Sequence, residues 1–206
     1  MTTQNTYYDK FFGEGGWKYD LVEQDRILRT IIAPLPPWKR DQTIIEVGAG
    51  MCHHSELLRK LGMRVTAVEA SKSGAAAGKR TYPQLAPGIV CADASKWKPA
   101  VEVDHVFVRG MSFFHYELLG VNRYGIDVPA QTERMFTWLR SGGTFLLQIV
   151  TDFSGTKKNV DMNRYDDYVG LFERFGKIEH TVDFRGRKLT AKSKPTGGII
   201  IVTRKP

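Results

Sequence analysis

Three short segments place glycines and carboxylates where a chain can hold a nucleotide-like ligand. The first, Thr43-Ile44-Ile45-Glu46-Val47-Gly48-Ala49-Gly50-Met51-Cys52, runs from an apolar stretch into a Gly-x-Gly turn. Glycine lets the backbone turn sharply and leaves room for a ligand to approach main-chain amides at a helix start. Glu69 ends a second apolar stretch, where an acidic side chain can accept hydrogen bonds from both hydroxyls of a ribose. Asp93 follows a third, in Val90-Cys91-Ala92-Asp93-Ala94, where a carboxylate can accept from an exocyclic adenine amine. A lone Gly-x-Gly is as often a plain strand-to-helix turn, and a lone surface carboxylate is usually only solvated. The shared position of Glu69 and Asp93 at the ends of successive strands argues for a ligand site, with Ala49, Ala70, Ala94 and Arg109 completing the candidate set.

A fourth segment, Val108-Arg109-Gly110-Met111-Ser112-Phe113-Phe114-His115-Tyr116, offers groups that act on a second molecule. His115 could take a proton from a hydroxyl or amine, since a free imidazole titrates near ~6.5 and general-base catalysis is worth roughly 10²–10⁴ in rate. Tyr116 and Arg109 are the other catalytic candidates, Arg109 as the group that would hold an acidic substrate or pair with a neighbouring carboxylate. A histidine among aromatic residues is more often a packed structural residue. His53 and His54 are adjacent and diverge on a helix, and no Cys or carboxylate spacing completes a set of ligands, so no metal is expected.

These segments need a scaffold that brings strand ends together. Apolar residues at Leu21, Val22, Ile27, Leu28, Ile31 and Ile32 predict an N-terminal helix that the prolines at 34, 36 and 37 stop. Strand-like stretches then alternate with helical ones. Strands are expected at Thr43–Val47, Arg64–Glu69, Ile89–Ala92, Val103–Val108 and Thr144–Thr151, and helices through Leu57–Leu61, Ser71–Tyr82, Ala130–Leu139 and Tyr165–Phe175. Two closing strands, Lys177–Phe184 and Gly198–Arg204, follow without a helix between them and are expected to be antiparallel. The pattern predicts an α/β fold: one Rossmann-like domain with a seven-stranded, mostly parallel sheet, an antiparallel C-terminal hairpin and helices on both faces. Residues 1–37 read as an aromatic arm and helix, and residues 38–206 as the ligand-binding domain.

Length and composition set the outer bounds. A chain of 206 residues suits one core, and its two cysteines cannot supply the disulfide framework of a small secreted domain. With no apolar leader and no apolar run near the roughly 20 residues a membrane span needs, a cytoplasmic protein is expected. The net charge of +8 is concentrated late, residues 155–206 holding twelve Lys or Arg against six Asp or Glu. That excess suits either an anionic partner or a solvated basic face.

From about Trp38 to Arg204 the sequence resembles the class I S-adenosylmethionine-dependent methyltransferases, on the Glu46-Val47-Gly48-Ala49-Gly50 turn, Glu69, Asp93 and the closing strands. The resemblance implies S-adenosylmethionine as cofactor. Its amino-acid part would lie at Glu46, Gly48 and Gly50, its ribose at Glu69 and its adenine at Asp93. Where the family often has a third glycine, this chain has Cys52. In that family an aromatic N-terminal segment such as Tyr7, Tyr8, Phe11, Phe12, Trp17 and Tyr19 often forms a lid, although these residues equally suit an anchored arm.

An NAD-dependent oxidoreductase shares the Gly-x-Gly and the acid, but not Asp93 or the reversed hairpin. A non-catalytic cofactor- or nucleic-acid-binding module is the other rival. The fourth-strand exit has no Asn-Pro-Pro-Tyr or Asp-Pro-Pro-Tyr, and neither cysteine follows a proline on the acceptor side, which disfavours base amino-methylation and a cysteine-dependent pyrimidine mechanism. A small-molecule oxygen or nitrogen acceptor is therefore expected. The alternative is a nucleic-acid methyltransferase gripping phosphates with Lys157, Lys158, Arg185, Arg187, Lys188, Lys192 and Lys194.

Overall fold

The computed structural model describes residues 3–16, 20–111, 114, 125–149, 165–193 and 198–206. Contacts divide the chain into two compact units, Met1–Val103 and Asp104–Pro206. The strands form one seven-stranded sheet in the order β3-β2-β1-β4-β5-β7-β6.

In the first unit, β1 (Thr43–Val47), β2 (Arg64–Glu69) and β3 (Ile89–Cys91) are parallel, with Val47 beside Val68 and Glu69 beside Cys91. Strands of a parallel sheet are covered on both faces, so they read as continuous rather than alternating apolar runs, and Ile44 through Val47 are all buried. Among the described residues its α-helices are α1 (Thr3–Gly13), α2 (Leu21–Ile27), α3 (His53–Lys60) and α4 (Lys72–Thr81). Asp20 caps α2 by accepting from the Val22 and Glu23 amides at 3.1 and 3.0 Å. The helix then widens into a π-helical turn over Leu28–Ile32 and stops at the proline run.

Its buried stripe is Ile27, Leu28, Ile31 and Ile32; Leu21 and Val22, expected on the same stripe, are exposed, Val22 by 82%. The aromatic arm is itself helical. In α1 the rings pack on one another, Tyr8 stacked on Phe12 at 6.0 Å and Phe11 edge-on to Phe12 at 5.2 Å.

The second unit contains β4 (Val103–Arg109), α5 (Val128–Thr137), β5 (Leu139–Ile149), α6 (Tyr165–Phe172), β6 (Lys177–Val182) and β7 (Ile199–Arg204). As expected, the closing strands are antiparallel: β7 pairs with β5, Gln148 beside Ile200, and with β6 on its other edge. β5 starts at Leu139 and not at Thr144, because Gly142 and Gly143 exchange backbone hydrogen bonds with Lys205 at 3.2 and 2.9 Å. An aromatic core holds the unit, with Phe136 stacked on Phe145 at 4.9 Å and Phe145 against Phe172 at 5.2 Å. Such pairs add about 0.5–1.5 kcal/mol each beyond the area they bury.

Candidate functional site

The residues singled out in the first unit gather at the carboxyl ends of β1, β2 and β3. After β1 the chain folds back at once: Gly48, Gly50 and Cys52 have φ of 72°, 56° and 62°, the left-handed region that favours glycine. Four amides of the turn, those of Gly48, Ala49, Gly50 and Cys52, bond within the protein. Those of Gly48 and Ala49 donate to the Val68 carbonyl at 2.9 and 3.2 Å, that of Gly50 to Glu69 Oε2 at 2.7 Å and that of Cys52 to the Ala49 carbonyl at 2.8 Å. The Gly48, Ala49 and Gly50 amides are thus engaged within the protein, Gly48 being exposed and Ala49 and Gly50 buried.

Cys52 occupies the position of the missing third glycine and pays for it in backbone strain. Its side chain is buried against the α4 face, where a Cβ on Gly78 would come within 2.6 Å of Cys52 Sγ. Burial, with Glu46 and Glu69 nearby, pushes the thiol well above its ordinary value, so it is no nucleophile.

The carboxylates differ in what they already hold. Glu46 is buried and accepts from the Ser55 hydroxyl on the first turn of α3. Glu69, 7% exposed, accepts from the Gly50 amide and from the Ser71 amide, each at 2.7 Å. Burial raises its proton affinity above that of an ordinary carboxyl, and the amides of Ser71, Gly50 and Ala70 offset this only in part. The Ala92 amide donates to the Glu69 carbonyl at 2.9 Å, which sets Asp93 and Ala94 just past the edge that Glu69 ends. Asp93 Oδ1 accepts from the Ser95 amide and hydroxyl at 2.9 and 2.7 Å, so its carboxylate also closes a turn.

Helix α1 lies across this edge, which spacing alone did not reveal. Asp9 accepts from the Ser71 hydroxyl at 2.7 Å and the Ser73 amide at 3.1 Å, and these bonds, the hydroxyl's first, hold its carboxyl below the ordinary range. The Phe12 ring covers the glycines: a Cβ on Gly50 would lie 3.0 Å from its Cζ, and one on Gly74 3.1 Å from its Cδ2. Sequence reasoning missed Asp9, Ser55 and Ser71 as site residues: Asp9 meets Ser71 across 62 residues, and Ser55 meets Glu46 only through the turn between them. The only signal was the aromatic, glycine-rich character of the arm.

The remaining candidates are less gathered. Arg109 ends β4 and is half-buried. His115 and Tyr116 lie outside the described residues, as do Trp17, Tyr19, Lys157, Lys158 and Lys194. His53 and His54 are committed to structural partners, His53 Nδ1 lying 2.5 Å from the Tyr82 hydroxyl and His54 Nε2 3.1 Å from Gln24 Oε1. In the second unit, Asp183 Oδ2 accepts from Arg187 Nε at 2.6 Å and Glu179 Oε1 from Arg204 Nε at 2.7 Å, so part of the late basic excess is neutralised within the hairpin.

The methyltransferase domain family matches residues 45–147, half of the chain. No curated protein matches the sequence. Among solved structures, a TehB-like SAM-dependent methyltransferase from Corynebacterium glutamicum is 15% identical with a TM-score of 0.64, covering 98% of this chain and 96% of its own. N-methyltransferase NodS from Bradyrhizobium japonicum, bound to S-adenosylhomocysteine, is 10% identical with a TM-score of 0.69 and 98% of both chains covered. The [4+2]-cyclase SpnF is 14% identical with a TM-score of 0.69, covering 98% of this chain and 95% of its own. At these identities the likeness is one of fold, which also supports chemistry other than methyl transfer.

Proposed function

We propose, for a chain that belongs to the methyltransferase domain family of class I S-adenosylmethionine-dependent enzymes, that the methyl group goes to the oxygen or nitrogen of a small-molecule acceptor. The observation that favours this cofactor over a dinucleotide is the internal use of the Gly48, Ala49 and Gly50 amides. A dinucleotide needs such amides for its pyrophosphate. A turn left with close-approach glycines and carbonyl oxygens suits the ammonium of an amino acid.

The residues present fit S-adenosylmethionine. Glu69 has two of about four lone-pair positions taken by the Gly50 and Ser71 amides, which leaves room for a ribose diol. Glu46, Gly48, Ala49 and Gly50 would hold the amino-acid part, Ala70 would flank the ribose, Asp93 and Ala94 the adenine, and Arg109 is a further candidate for the cofactor. The cofactor supplies a methyl group already activated on a sulfonium. In the transfer the acceptor atom would bond to the methyl carbon as the C–S bond broke, the electron pair staying on sulfur and the acceptor's proton leaving to water or to a base. His115 and Tyr116 are the bases we propose, with Arg109 orienting the acceptor. Alignment alone supplies several kcal/mol, so the base is an aid and not a requirement.

Residues 1–37 act in this reading as a lid, latched by Asp9 on α4 with Phe12 over the glycines, and residues 38–206 form the catalytic domain. A small acceptor is preferred to a nucleic acid because Arg187 and Arg204 are already paired. Cys52 and Cys91 are free thiols, and among the described residues no helix is long and apolar enough to cross a membrane; we assign the protein to the cytoplasm. The test is transfer of labelled methyl from S-adenosylmethionine into a small-metabolite extract and, separately, into total RNA. Label in the metabolite fraction supports the reading, and label in RNA alone overturns it.

A further inference from the structure

Gln148 stands in the apolar run Phe145-Leu146-Leu147-Gln148-Ile149 near the end of β5 and is 1% exposed. Among the described residues neither its amide nitrogen nor its amide oxygen has a hydrogen-bond partner. A buried primary amide without partners is costly, and a leucine or methionine would fill the same space without that cost. Buried polar groups in folded proteins are almost always satisfied, so one that is not needs a partner from outside the chain, a water or a ligand.

Its position says which ligand. The Gly110 amide donates to the Gln148 carbonyl at 3.0 Å, so the ends of β4 and β5 lie side by side. His105 Nδ1 is 2.7 Å from Thr144 Oγ1, so those two side chains share one face of the sheet. Successive strand residues alternate between faces, and Arg109 follows His105 by four positions as Gln148 follows Thr144. Arg109 and Gln148 therefore share that face at the carboxyl ends of their strands, the edge at which open α/β sheets bind ligands.

We infer that Gln148 contacts the methyl acceptor and selects its class: a small molecule with a hydroxyl or amine next to a carboxylate. This rests on the methyl-transfer reading. The Gln148 amide oxygen accepts from the hydroxyl or amine that receives the methyl group. Its amide nitrogen, together with the permanently charged Arg109 guanidinium, donates to the carboxylate. A hydrocarbon at position 148 can do neither, and a plain phenol or aniline uses only half of the pair.

The test is a titration of ¹⁵N-labelled protein, first with S-adenosylhomocysteine and then with 2-aminobenzoate and 2-hydroxybenzoate as probes. The Gln148 side-chain amide pair, identified by its loss in Gln148→Met or Gln148→Asn, is expected to shift saturably with the two probes. Gln148→Met is expected to weaken probe binding about tenfold, the loss of roughly one well-formed hydrogen bond, with S-adenosylhomocysteine affinity unchanged. If Gln148→Met does not fold, Gln148→Asn, which keeps the amide but withdraws it, carries the same expectation. An unmoved amide pair, or a variant that binds the probes as the wild type does, overturns the inference alone. Failure of S-adenosylhomocysteine to bind overturns the cofactor reading beneath it.

Discussion

Glu69 and Asp183 are both buried carboxylates that accept two backbone amides, and they end with opposite proton affinities. At Asp183 burial would raise the carboxyl. The amides of Arg187 and Arg185 and the Arg187 guanidinium together outweigh it, and the group lies below its ordinary value. At Glu69 burial wins over the amides of Ser71, Gly50 and Ala70, no cation contributes among the described residues, and Asp9 adds a like charge. Asp183 is a finished piece of the β6–β7 connection. Glu69 is a charge held in place with its neutralisation left incomplete, which is the state of a group that waits for donors from a ligand.

Exchanging the two acids for neutral residues breaks this contrast most sharply. Glu69→Ala is expected to weaken S-adenosylhomocysteine binding by about 1.5–3 kcal/mol or more, while Asp183→Ala leaves it unchanged. Thermal unfolding should report the reverse for Asp183→Ala, a loss of about 1–3 kcal/mol from the unpaired amides of its turn. Equal effects of both variants on binding would end the distinction.

Helix α1, the proposed lid, sharpens the comparison next, since among the described residues Asp183 has no such helix over it. Phe12→Ala should speed cofactor dissociation on the order of tenfold, and Asp9→Asn by less, about 0.5–1 kcal/mol for the weakened bonds to Ser71 and Ser73. Stopped-flow displacement reads both, and unchanged rates would leave α1 as an anchor only.

A smaller effect comes from pH. Ribose hydroxyls donate to the carboxylate form, and Glu69 in the free protein holds its proton above the ordinary 4.5, so binding releases a proton in that window. Affinity should therefore rise with pH from about 4.5 through the raised Glu69 value and then level off, and Glu69→Gln should flatten the curve. A curve of the same shape in that variant would place the titrating group elsewhere. The smallest effect expected is on nucleic acid: changing Arg185, Arg187 and Lys188 together to Ala should alter only weak, salt-sensitive RNA binding, read by titration at about 150 mM salt.

How far these features could be read in the sequence follows from how local they are. The bounds of β1 and β2 were legible to the residue, because Thr43–Val47 and Arg64–Glu69 are short stretches rich in β-branched and apolar residues that end at a glycine turn or an acid. Helix α1 was not, because its rings satisfy one another and α4, giving no stripe toward a core. Asp9 and Ser71 meet across 62 residues and leave no periodic trace. Gln148 was hidden in the apolar run of residues 145–149, whose overall character masks its single polar residue. The Gly-x-Gly was visible, but only the geometry separates a turn that offers its amides from one that has used them.

That last point supports the central claim, and calorimetry tests it directly. Titrating the wild-type protein with S-adenosylhomocysteine and, in parallel, with NAD should give saturable binding of the first and no heat from the second. Saturable NAD binding with no response to S-adenosylhomocysteine would contradict the account.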